Sequence, residues 1–300
     1  MNIAPICSVE FELIRWLQSL GSPHLDGLFK ALNFVDTAEF NFVLISILSI
    51  AYRSQLGMRL LFVLVLSAFT NDLLKECFQA PRPFAIDPTL SLIKVSGYSF
   101  PSGAAQSAVI YTTVIVQECQ SKAGSLLAAA SFLLLSFSRV YLGVHFPSDI
   151  VAGWIVGGVL SLVYLRFIPL FEKKLKHHHL VIVLLGVLLA SLGVYSLKAS
   201  DKMVAFIGFF MGGTLASQIA LKRDWLFDKP CSIYEFSWRL LYAIVGMGLL
   251  VFALKALGHG LPIQLFAAAF IIATWPCLLA YGIQVGLAYF LESARVKREN

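Results

Sequence analysis

Charge is what this sequence has least of. Only 13% of its 300 residues are Asp, Glu, Lys or Arg, where soluble domains carry about 25%. With 58% hydrophobic residues and a mean hydropathy of +0.80, the balance points to an integral membrane protein. Cysteine is also sparse. Cys7, Cys77, Cys119, Cys231 and Cys277 show no CxxC or paired spacing, which excludes a disulfide framework and a cysteine-rich metal site. The first residues lack a basic n-region and an apolar h-region, so no cleavable signal peptide is expected. The net charge of +6 does not call for nucleic acid. Its cations sit in short connections between apolar runs, where they set membrane orientation instead. His177, His178 and His179 follow Lys173, Lys174 and Lys176 and read as a basic loop beside a membrane helix, so neither a metal nor a cofactor is expected.

What is abundant is apolar sequence in long runs. A span needs about 20 apolar residues, and nine candidates stand at about 36–52, 59–79, 103–118, 123–141, 148–168, 180–197, 203–221, 238–256 and 262–290. The expected fold is all-α, a polytopic membrane helix bundle of about nine spans. Residues 8–20 are amphipathic and charged, which suits a helix lying in the interface. Three parts are expected: an interfacial segment over 1–35, a membrane core over 36–168, and additional membrane helices over 169–300. Arg53, Arg59, Arg166, Lys173, Lys174, Lys176, Lys222, Arg223, Lys229, Arg295, Lys297 and Arg298 all fall on one side of nine spans. By the positive-inside rule that side is cytoplasmic, which leaves the connections at 75–102 and 139–149 outside. Nothing in the sequence bears on oligomeric state.

Those two outer connections hold the residues that could do chemistry. The first carries Lys75 and, seven residues on, Arg82, with Pro81 and Pro83 beside it ending the helix. It continues into Pro101-Ser102-Gly103, a helix start with proline in a favoured place and a glycine that lets an anion approach the backbone. The second reads Ser138-Arg139, then His145, then Asp149. Four residues is one helical turn, so the carboxylate can orient the imidazole and leave its other nitrogen free to attack. Arg139 offers a planar fork suited to phosphate oxygens. Taken singly, the stretches also read as snorkelling interface anchors, an ordinary capped helix and a capping aspartate beside a surface histidine. Together, three cations, a helix N-terminus and an oriented histidine on one side of the membrane call for a multiply charged anion, and phosphate fits.

The pattern Lys75…Arg82-Pro83, Pro101-Ser102-Gly103 and Ser138-Arg139…His145…Asp149 resembles the type 2 phosphatidic acid phosphatase (PAP2) superfamily. Gly21-Ser-Pro-His-Leu-Asp-Gly-Leu-Phe also looks like bacterial members. The resemblance implies hydrolysis of lipid phosphates or pyrophosphates without metal, through a phosphohistidine. It implies His145 as nucleophile, Asp149 as its orienting partner, and Lys75, Arg82, Ser102, Gly103 and Arg139 as phosphate binders. Expected partners are membrane lipids and a lipid phosphate or polyprenyl (pyro)phosphate substrate. The expected location is the bacterial inner membrane, with the site facing the periplasm.

One position departs. The family places a general-acid histidine after Pro-Ser-Gly; here it is Ala104. Ala105, Gln106 and Ser107 offer no acid in its place, and His24 is remote in sequence. Activity is therefore expected to be impaired, whether the alanine is a natural variant or an engineered inactivation. Two further readings stay open: a non-catalytic lipid-phosphate binding or transport protein, and a lipid phosphotransferase. Gly153 and Gly157 form a GxxxG pair that would let their helix pack closely on a neighbour, or a chance spacing.

Overall fold

A computed structural model describes residues 4–179, 181–183, 185–186, 188–189, 201–223, 225–257 and 262–299. Their regular structure is entirely helical. Six helical runs among them are long and apolar enough to cross a membrane: Ser54–Ile86, Lys122–Tyr141, Pro147–His177, Val204–Arg223, Ile233–Ala253 and Ile263–Ile283. A bent pair, Pro23–Asp36 with Ala38–Tyr52, gives a seventh if it crosses as one. The chain is thus an all-α polytopic membrane protein. Against nine expected spans, 36–52 is the second limb of the bent pair, turned by 67° from the first. The run at 103–118 is a helix of 17 residues, about 25 Å long. The expected span at 180–197 lies largely outside the described residues.

The fold separates into two compact units, Met1–Asn41 with Leu66–Leu165, and Phe42–Val65 with Arg166–Asn300. The first holds all the candidate site residues. Its helices are α1 (Ala4–Ser19), α2 (Pro23–Leu32), the second half of α4 (Ser54–Phe78), the short α5 (Pro83–Ile86), α6 (Gly103–Cys119), α7 (Lys122–Tyr141) and α8 (Pro147–Leu162). Each start is written locally. The hydroxyls of Ser22, Ser102 and Ser121 accept from Leu25, Ala105 and Gly124 N–H groups, the usual serine cap. Pro23, Pro83 and Pro147 open α2, α5 and α8, where their missing N–H costs nothing.

α6 and α8 touch backbone to backbone. A Cβ at Gly153 would come 2.5 Å from the Ser102 carbonyl, and one at Gly157 would come 2.6 Å from that of Gln106. The GxxxG pair is therefore a packing surface, and it seats the start of α8 beside the start of α6. Gly157→Ala should cost about 1–3 kcal/mol through overpacking and lower the melting temperature in detergent. Gly158→Ala, whose methyl would meet nothing within 4 Å, should leave it unchanged; equal melting of both variants would refute this packing.

In the second unit, α10 (Asp201–Arg223) and α12 (Pro262–Glu299) pack the same way. (α3 is Ala38–Ile47, α9 Ile168–His177 and α11 Ile233–Leu257.) Cβ atoms at Gly208 and Gly212 would fall 2.6 Å and 2.5 Å from the carbonyls of Phe266 and Phe270. Arg59 pairs with the buried Glu172 at 2.7 Å, and Gln55 donates to the same carboxylate.

Candidate active site

His145 stands in the loop between α7 and α8. Gly143 turns that loop with φ +68, and a side chain there would strike the Leu90 carbonyl at 2.0 Å. The N–H groups of Val144 and His145 then donate to the Arg139 carbonyl at 3.2 and 3.3 Å, folding the loop onto the end of α7. The imidazole is 2% exposed.

Its two nitrogens face different surroundings. Nδ1 lies 3.4 Å from Asp149 Oδ2 and 3.3 Å from the Ser99 hydroxyl. Asp149 Oδ2 also accepts from the Phe146 N–H at 2.8 Å and from Ser99, so the carboxylate is fixed. Nε2 is 3.3 Å from an Arg82 N–H. A guanidinium only donates, so Nε2 presents its lone pair and Nδ1 carries the proton toward Asp149. The expected one-turn spacing thus operates across a helix start rather than along a helix, because Pro147 begins α8 between the two residues. Burial, then the charges of Arg139, Arg82 and Lys75, hold the imidazole well below its ordinary pKa of 6.5. His145 is a neutral base whose Nε2 lone pair faces the Arg82 guanidinium.

The cations come from three places. Lys75 occupies the last turn of α4. That helix ends at Phe78 and Gln79 turns left-handed with φ 47, so Arg82 leaves the helical line, as the flanking prolines predict. Arg82 donates to three carbonyls, Gly97 at 2.9 Å, Ser96 at 3.0 Å and Val144 at 2.9 Å. Arg139, 3% exposed at the end of α7, donates to Asn33 Oδ1 at 2.6 Å and approaches Asp36 Oδ2 at 3.5 Å. Its buried Nε has no hydrogen-bond partner among the described residues.

Ser102 and Gly103 begin α6. The Ser102 N–H donates to the Asp149 carbonyl at 3.0 Å and its hydroxyl caps the helix. Asn71 bonds the Pro101 carbonyl and Gln106, and Gln106 bonds Ser67 at 2.7 Å. This buried chain fixes the α6 start to α4. Ala104 borders a cavity no larger than a water molecule, shared with Asp36, Ser107, Tyr111, Ser138 and Arg139. His24 is exposed at the start of α2.

The structure therefore gathers Arg82, His145 and Asp149 in direct contact, sets Ser102 on the Asp149 carbonyl, and places Arg139 and Ala104 on one cavity. Sequence reasoning missed Ser99, Asn33, Asp36, Asn71 and Gln106. For Asn71 and Gln106, polar residues inside apolar runs, that setting was the available signal, since such groups in a membrane mark functional positions.

A helical membrane protein with cations around an oriented, neutral histidine is the class this geometry defines. The model of the PAP2 superfamily matches residues 56–173. The undecaprenyl-diphosphatase of Sulfolobus acidocaldarius is 30% identical over 178 residues, covering 53% of this chain and 84% of that one. Phosphatidylglycerophosphatase B of Bacillus subtilis is 30% identical over 168 residues, covering 51% and 78%. Lipid A 1-phosphatase of Rhizobium johnstonii is 30% identical over 118 residues, covering 37% and 48%. The chain belongs to the PAP2 superfamily.

Proposed function

We propose that this protein is a metal-independent membrane phosphatase for lipid phosphates or isoprenoid (pyro)phosphates, acting through a phosphohistidine at His145. The observation that carries the reading is the pair of nitrogen environments. Nδ1 is held by Asp149 and Ser99 while Nε2 points its lone pair toward Arg82. Relatives named for undecaprenyl diphosphate and phosphatidylglycerophosphate support the substrate class. In this reading Nε2 attacks phosphorus, and Lys75, Arg82, Arg139 and the start of α6 stabilise the equatorial oxygens. Phosphoryl transfer asks little more of a protein than positioning and charge. Residues 36–168 form the catalytic core, 1–35 an interfacial segment, and 169–300 add membrane helices. On the nine-span count of the sequence, the cation distribution supports a site on the outer side of the membrane, which in a bacterial inner membrane is the periplasmic side.

The test is phosphate release by the purified full chain in detergent, with chelator present, from an isoprenoid diphosphate, the matching monophosphate and phosphatidic acid. Release from all three is expected. The diphosphate should react faster, by up to about 10²-fold, because a phosphate departs without the proton an alkoxide needs. No release from any substrate would refute the reading. Ala104 favours the rival, a non-catalytic lipid-phosphate binder, whose signature is saturable binding without turnover. Label passing to a second lipid instead of water would mark a phosphotransferase.

A further inference from the structure

The histidine that the resemblance implies after Pro-Ser-Gly is absent at Ala104, and a carboxylate, Asp36, lines the same small cavity. Asp36 and Ala104 share it with Arg139. The charges of Arg139, Lys75 and Arg82 act on Asp36 and on His145 alike, which puts both groups around one cationic centre. The other candidates there are occupied or unsuited. The Tyr111 hydroxyl donates to Asn41, the Ser138 hydroxyl donates to the Leu135 carbonyl at 2.7 Å, and Ser107 is no acid at neutral pH. Asp149 is bound to Ser99 and the Phe146 N–H. Asp36 makes a single polar side-chain contact among the described residues, the 3.5 Å approach to Arg139, and its side chain is 30% exposed. It sits in the 3-10 turn Asn33–Asp36, at the break between two helices.

Resting on the phosphatase reading above, we propose that Asp36 is the catalytic acid and base of this enzyme, taking the place of the histidine that Ala104 lacks. A phosphate arriving on Arg139 takes over the cation that Asp36 faces, and two anionic groups in contact hold a proton between them. In the first step the Nε2 lone pair of His145 forms the P–N bond. The bond from phosphorus to the leaving oxygen breaks, and its electron pair stays on that oxygen, which takes the proton of the Asp36 carboxyl. In the second step water attacks phosphorus, the P–N bond breaks with its pair returning to Nε2, and the water proton passes to the Asp36 carboxylate. Asp36 ends protonated, as it began, and Nδ1 keeps its proton on Asp149 throughout. The chain is then active as it stands, without a histidine at 104.

The two steps separate in the test. With a short isoprenoid diphosphate labelled on its terminal phosphate, Asp36→Asn should still form phosphohistidine, because the leaving phosphate needs no acid. Hydrolysis of that intermediate lacks its base, so steady-state release should fall by about 10²-fold or more while acid-labile label accumulates on the protein. On the monophosphate, Asp36→Asn should fail at the first step and accumulate no label. Ala104→His in the Asp36→Asn background should restore release. Unchanged turnover by Asp36→Asn would overturn the proposal with the phosphatase reading intact. So would loss of labelling and release together, unrescued by Ala104→His, which marks Asp36 as a mere support for Arg139. Absence of both label and release in the unaltered chain would remove the phosphatase reading itself.

Discussion

Replacing His145 with alanine should abolish turnover, by roughly 10⁴-fold or more, and leave lipid-phosphate binding within a few-fold of its starting value. In the proposed mechanism the imidazole supplies the lone pair that attacks. The cations proposed to hold the phosphate have anchors of their own. Arg82 is held by Ser96, Gly97 and Val144, and Arg139 by Asn33. Phosphate release, label on the protein and equilibrium binding of a lipid phosphate check the three parts separately. A His145→Ala chain that turns over, or that acquires acid-labile label, would remove His145 from the mechanism. The pH profile follows from the same residue. Burial and the three neighbouring cations hold His145 neutral well below 6.5. Protonation is what silences a nucleophilic imidazole, so kcat/KM should stay flat as pH falls through 6.5 and drop only in more acid solution. An acid limb centred at 6.5 or above would contradict this electrostatic setting.

Arg82→Ala should be the most damaging change outside the nucleophile. The guanidinium joins the loop at 96–97 to the loop at 144–145 through three carbonyls. The Val144 carbonyl, left buried and unpaired, costs about 1–3 kcal/mol, and the part-buried bonds to Ser96 and Gly97 are lost with it, so the melting temperature in detergent should fall along with activity. Arg82→Lys is the more telling variant, since it keeps the charge but loses the planar fork. A single ammonium cannot reach the three carbonyls together. The expected result is reduced stability, a raised KM and a reduced kcat, because the His145 loop loses its tie. A lysine variant with unchanged melting and unchanged KM would show that Arg82 acts as a point charge alone.

Composition and apolar runs are enough to specify a helical membrane protein, because a bilayer leaves the backbone few other options. Lys75, Arg82, Arg139, His145 and Asp149 stand out in the sequence because they are charged or titratable in a chain with little of either. The Asp149 contact is readable from spacing alone, though it forms at a helix start. Asp36 is hidden by its position. It opens the run read as a first span, and the structure instead puts it in a 3-10 turn at a break, where its carboxylate approaches Arg139. Ser99 is hidden by its ordinariness, one serine among many in a loop, and it becomes informative only when its hydroxyl is found on Asp149. Asn71 and Gln106 lie 35 residues apart in sequence, and no local pattern joins them.

Pro-Ser stands at the start of two helices in different places: Pro101 and Ser102 precede α6, with Ser102 as its cap and Pro101 outside the favoured first position, whereas Pro147 and Ser148 are the first residues of α8. At α8 the chain supplies its own anions: Asp149 takes the Phe146 N–H and Glu10 of α1 takes the Ser148 N–H at 2.8 Å. At α6 the Ser102 hydroxyl serves only Ala105, and the N–H groups of Gly103 and Ala104 meet no acceptor among the described residues. Under the proposed function, an incoming phosphate would find the α8 start already taken by carboxylates. The amphipathic helix at the front of the chain, which supplies one of them, would then act as an internal competitor that steers the anion to the α6 start.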